Sequence, residues 1–104
     1  DKLGNNKDIL CVNKEEKKRT HAAWLFTLIS RKKDLIQKKL KEKRIESNQV
    51  HFRNDKYSIF KNMTKGKKFP NMDYAENKYL ALPVHHKISK QKAKYIANFI
   101  NKIV

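Results

Sequence analysis

A chain of 104 residues buries roughly two-thirds of its unfolded surface, which suits one modest core and excludes two. No stretch reaches the roughly 18 to 20 apolar residues that span a bilayer, no signal-peptide pattern opens the chain, and one cysteine, Cys11, cannot form an internal disulfide. The formal charge of +16 ordinarily points to nucleic acid or an acidic membrane, yet the cations are nearly all lysine and come with abundant Asn and Ile, the trio that A/T-rich codons produce.

In chain order, the apolar run Ile9 to Val12 reads as a first strand with Cys11 as a buried structural thiol, and a cytoplasmic setting is the default for a lone cysteine. Asn13 to Thr20 is a solvated, lysine-rich loop. Ala22 to Ile29 is apolar on both phases, so it is expected as a strand covered on both faces and paired with the first in a hairpin. His21, just ahead of it, is a surface or edge residue. Ser30 is placed to cap a helix over Lys32 to Lys43, whose narrow stripe of Leu35, Ile36 and Leu40 must hold an otherwise cationic element by packing.

A third strand is expected over about Glu46 to Arg53. Alternation then sends Val50 and Phe52 into the core and sets Gln49, His51 and Arg53 on the opposite, polar face. With Asn54, Asp55 and Tyr57 in the following turn, this face is a candidate anion-recognition surface; the same pattern also describes a half-exposed strand and a turn capped by Asn54 and Asp55. Lys61 to Lys68, around Gly66, reads as a basic loop. Asn71 is placed to cap a helix over Met72 to Leu80, in which Met72, Ala75 and Tyr79 share a face, and Pro83 ends the apolar stretch beyond it. Ser89 caps the clearest helix, Lys90 to Ile103, with Ala93, Ile96, Ala97, Ile100, Ile103 and Val104 on its apolar stripe. These elements make an α/β (α+β) two-layer domain, a mostly antiparallel sheet packed with helices, with the strand order left open.

Other constellations carry less. His85-His86 is a tempting metal pair, but adjacent residues of an extended segment face opposite ways and no Cys or acid sits at a ligand spacing, so no metal is expected. No glycine-rich phosphate loop and no G-x-S-x-G elbow is present. Nothing marks one lysine as desolvated for Schiff-base chemistry.

Several segments, in order, resemble one family: Trp24-Leu25-Phe26-Thr27-Leu28, Arg44-Ile45-Glu46-Ser47, Val50 through Phe60, Asn71-Met72-Asp73, and Lys78-Tyr79-Leu80-Ala81-Leu82-Pro83-Val84-His85. Together they resemble the DegT/DnrJ/StrS sugar aminotransferases, with Arg53-Asn54-Asp55 similar to the perosamine-synthase-like branch. The resemblance runs from His21 to the end, residues 1–20 being the start of the same domain with its basic loop. It implies the C-terminal small domain of a fold-type I aminotransferase that uses pyridoxal phosphate to move an amino group, usually from glutamate, onto a 3-keto or 4-keto sugar carried by a nucleotide diphosphate. The Schiff-base lysine and the cofactor site would lie in a catalytic domain ahead of this region, so these residues alone would bind no cofactor and hold no catalytic residue; an opening at Asp1-Lys2-Leu3 without Met fits an excised piece. The full-length enzyme would be a homodimer.

In the assembled enzyme the polar face is expected to close over the nucleotide-sugar, its roles following from side-chain chemistry, and the chain departs from the family at two positions. Arg53 is expected on a diphosphate or sugar oxygen, because a guanidinium fork bonds two oxygens at once. His51 is expected beside the keto-sugar and Asp55 behind the arginine or its turn, with Asn54 and Tyr57 completing the surface. Arg44 stands where the family has a glycine suited to a left-handed helix cap, and Lys92 where it has an acid that closes a capping box. The alternative reading is a small lysine-rich RNA-binding module. Such modules lean on Arg and stacked aromatics, whereas the aromatics here fall mostly on core phases, so nucleic acid is not the expected partner.

Overall fold

The computed structural model describes residues 3–12 and 17–104. Part of the expected basic loop, 13–16, lies outside them, as do residues 1–2. Strands β1 (Leu10–Cys11) and β2 (Phe26–Ile29) pair antiparallel, with Leu10 opposite Ile29 and Cys11 opposite Leu28. On the other edge of β2 runs β3 (Tyr79–Leu82), also antiparallel, pairing Phe26 with Leu82 and Leu28 with Leu80.

Alternation along these strands puts Cys11, Leu28, Leu80, Phe26 and Leu82 on one face. Helices α1 (Lys33–Glu42) and α4 (Lys90–Ile103) cover it with Ile36, Leu40, Ile96 and Ile100, and Leu3 and Ile9 close the cluster. This is the expected two-layer α+β arrangement.

The ends of both helices derive from named residues. Ser30 supports the start of α1 through its Oγ, which accepts from the Lys32 backbone N–H at 3.1 Å, although Lys32 holds the N-cap position. At the other end Arg44 sits at φ 56°, and the Ile45 N–H reaches back to the Leu40 carbonyl at 2.9 Å, so the left-handed cap forms on a non-glycine residue. Ser89 caps α4 by accepting from the Lys92 N–H at 3.2 Å, and α4 has the expected bounds.

Four expectations are corrected. The second strand begins at Phe26 because Ala23 adopts φ 53° and breaks the extended run, which leaves Trp24 71% exposed instead of covered. The stretch Glu46 to Arg53 is not a strand: Asn48 alone bridges to Ala81, through N–H to carbonyl bonds of 3.2 and 2.9 Å. Opposite Glu46, Pro83 offers no N–H, so the ladder does not extend ahead of the bridge, and after it the His51 N–H and carbonyl bond to the Tyr79 hydroxyl instead of to a strand. The edge of β2 is instead taken by Tyr79–Leu82, where the sequence pattern suggests the end of a helix. That helix, α3 (Pro70–Ala75), is short and starts with Phe69 at the N-cap and Pro70 inside it, not with Asn71 as the cap. Within the basic stretch 61–68, Lys61–Thr64 forms one helical turn, α2, and Gly66 comes after it at φ 76°.

Candidate functional site

After the Asn48 bridge the chain leaves the sheet, and side chains hold it where ladder bonds do not. The Tyr79 hydroxyl accepts from the His51 N–H at 2.9 Å and donates to the His51 carbonyl. Gln49 Nε2 donates to the Glu76 carbonyl. Two turns of 3-10 helix come next, Asn54–Lys56 and Ser58–Phe60, neither with a buried residue.

Arg53 fixes this segment. Its Nε and Nη2 donate to the two oxygens of Asp55 at 2.9 and 2.7 Å, and Nη1 donates to Asp73 at 2.5 Å and Glu76 at 3.2 Å. Lys56 Nζ binds the other Glu76 oxygen. Two cations thus face three carboxylates, and an α3 too short to bury anything is tied to the turn by charge-assisted bonds. Hydrogen bonding to Asp55, then to Asp73, raises the guanidinium above its ordinary value, while Arg53 holds the Asp55 carboxyl below its own. Glu76 is lowered first by Lys56 and then by Arg53.

The expected division of faces therefore holds for Gln49 and His51, which are exposed, and fails at Arg53, Val50 and Phe52. Arg53 is 7% exposed, whereas Val50 and Phe52, assigned to the core, are 42% and 58% exposed. A guanidinium leaves water only where acids surround it, and Asp55, Asp73 and Glu76 supply them here. His51, Asn54 and Tyr57 lie at the surface, with Tyr57 edge-on to Phe52 at 5.0 Å between centroids. Asp55 sits behind the arginine. The residues not foreseen at the site are Lys56, Asp73, Glu76, Tyr79 and Trp24, whose ring lies 5.7 Å from that of His51. The i, i+3 spacing of Asp73 and Glu76 on a helix was the available sign of a shared cation.

Exposed Trp24, Phe52, Tyr57, Tyr74 and Tyr95 also overturn the argument that the aromatics fall on core phases. Next to His51, a cavity of about 590 Å³ opens between Trp24, Val50, Pro83, His85, Lys92 and Tyr95. His85 and His86 meet edge-on, and the His85 Nδ1 accepts from the Lys87 N–H. Among the described residues no group of three His, Cys, Asp or Glu could hold a metal ion, and no helix is long and apolar enough to cross a membrane.

The profile of the DegT/DnrJ/EryC1/StrS aminotransferase family matches residues 1–101. The chain belongs to that family. No curated protein sequence matches it. Among solved structures, the sugar aminotransferase CalS13 from Micromonospora echinospora superposes with a TM-score of 0.84 at 18% identity, over 97% of this chain and 27% of its own. AtS13 from Actinomadura melliaura gives 0.83 at 16% identity, over 97% and 26%. A Streptococcus pneumoniae protein assigned as a sugar aminotransferase, in its PMP form, gives 0.72 at 18% identity, over 96% and 27%. The chain thus has their fold and spans about a quarter of their length.

Members of this aminotransferase family are pyridoxal-phosphate enzymes, and the described residues do not fit that cofactor. A Schiff-base lysine must be desolvated. No described lysine is buried, and Lys33, with a side chain 13% exposed, is paired with Asp34 at 2.7 Å.

Proposed function

We propose that this chain is the C-terminal small domain of a longer, pyridoxal-phosphate-dependent aminotransferase of the perosamine-synthase-like branch, and that it closes over a nucleotide-linked keto-sugar. A preceding catalytic domain of the same polypeptide carries the Schiff-base lysine and the cofactor, glutamate is the amino donor, and the enzyme works as a homodimer in the cytoplasm. The observation that carries this reading is the anchored segment His51 to Tyr57: it leaves the sheet, is fastened to α3 by Arg53, and presents polar groups outward.

In this reading the roles shift from those the sequence suggests. Arg53 is a positioning residue, its fork turned to carboxylates of its own chain, and Asp55 holds it. Contacts to the sugar or diphosphate oxygens fall to His51, Asn54 and Tyr57, an imidazole, an amide and a phenol that can all hydrogen-bond an oxygen acceptor. Fixing such donors before the substrate arrives removes the ordering cost at the moment of binding.

The test uses the longer polypeptide that contains this chain. His51→Ala and Arg53→Ala should each raise the Michaelis constant for the nucleotide-sugar about tenfold to a hundredfold, while the cofactor spectrum and the glutamate half-reaction stay as in the parent. Arg53→Lys should recover little of the loss, since an ammonium cannot replace a fork that serves three acids. Nucleotide-sugar kinetics unchanged in both the His51→Ala and Arg53→Ala enzymes would sink the proposal.

A further inference from the structure

We infer that Trp24 is a second wall of this site and takes the apolar face of the sugar ring, an inference that rests on the proposed function. A large aromatic side chain at 71% exposure is an expensive surface to leave to water, and here the backbone holds it out. Ala23 takes φ 53°, a left-handed conformation that an alanine adopts only at a cost, and the His21 Nδ1 secures the turn by accepting from the Ala23 N–H at 2.7 Å. Were Ala23 extended, Trp24 would continue strand β2. The strained turn instead sets its ring beside His51, with centroids 5.7 Å apart and planes inclined at 54°.

That geometry selects the ligand. A flat nucleobase sandwiched between two rings needs them parallel and about 7 Å apart, two contact distances of roughly 3.5 Å. Trp24 and His51 are too close and too steeply inclined for that. A puckered sugar ring is different: one face carries C–H groups whose positive edge suits the electron-rich face of an indole, and its rim carries oxygens. Trp24 then serves as the apolar floor and His51 as the polar rim. The adjoining cavity of about 590 Å³, which Trp24 also lines, lies within the size range of small-molecule sites.

The experiment compares Trp24→Ala, Trp24→Phe and His51→Ala in the longer polypeptide, assayed with UDP-, dTDP- and GDP-linked 4-keto-6-deoxyhexoses and with free UDP, dTDP and GDP as inhibitors. Trp24→Ala should raise the Michaelis constant for the accepted nucleotide-sugar about tenfold or more, with kcat and the glutamate half-reaction unchanged and with inhibition by the free nucleoside diphosphate unchanged. Trp24→Phe, which keeps an aromatic face, should stay within about threefold of the parent. Weaker inhibition by the free nucleoside diphosphate, in step with the Michaelis constant, would assign Trp24 to the base and overturn the inference. A fall in the glutamate half-reaction equal to the loss with sugar would make Trp24 structural and overturn it too. If His51→Ala raises the Michaelis constant and Trp24→Ala does not, this inference alone fails; if neither does, or if the parent protein accepts none of the nucleotide-sugars, the proposed function fails with it.

Discussion

The two halves of the molecule are held by different forces. In the half made of β1, β2, β3, α1 and α4, the side chains of Leu28, Ile36, Leu40, Leu80 and Ile100 are fully buried, and apolar burial does the holding. In the half that runs from Gln49 through α3, no helix or turn contributes a buried residue, and the cluster around Arg53 fastens the chain. The first half carries its ion pairs, Lys32–Asp8 and Lys39–Glu42, on the exposed surface, while the second has a buried guanidinium at its centre and depends far more on charge. The segment from His51 to Tyr57, on the less deeply packed half, is free to adjust without disturbing the core.

Breaking the two halves separately gives the sharpest test. Leu28→Ala should destabilise the whole fold by about 2 to 5 kcal/mol, read as a large drop in the thermal midpoint, because a fully buried leucine leaves a cavity in the sheet face. Arg53→Ala should leave most of that midpoint in place but speed amide hydrogen exchange across residues 51–60 and 70–76, where three acids lose their shared cation. Equal losses of midpoint in the two variants would show one cooperative unit in place of two.

Acid separates the halves without mutation. The Asp55 and Glu76 carboxyls are lowered in the folded protein, so their contribution is complete above the ordinary carboxylate values of about 4 and is lost as the pH falls through their lowered folded values. Exchange measured between pH 5 and pH 2 should therefore rise first in 51–60 and 70–76, with β2 still protected. Simultaneous loss in both regions would contradict the division. The smallest effect belongs to the well-packed half: Arg44→Gly, which removes the side chain from φ 56°, should raise stability by up to about 1 kcal/mol in chemical denaturation.

The sequence makes the same division visible in what it does and does not disclose. Helices α1 and α4 are legible because their apolar residues recur at helical spacing, and burial tracks that spacing at Ile36, Leu40, Ile96 and Ile100. Tyr79 to Leu82 defeats the same reasoning, since a short apolar run fits a strand or a helix end, and the bare edge of β2 decides between them. Arg53 is misplaced for another reason: two of its acids lie 20 and 23 positions away, beyond any local pattern, so alternation gives it the wrong face. Trp24 is hidden by one left-handed alanine, whose conformation no composition announces.

Cys11 gives the well-packed half a clock. Its thiol lies in the two-residue strand β1, opposite Leu28, where burial pushes it up and away from the reactive thiolate. An alkylating reagent can reach the sulfur only when that edge strand peels off, so the labelling rate counts how often the sheet opens there. Events confined to the segment from His51 to Tyr57 do not move the hand of that clock, and a change that slows or speeds it has reached the core.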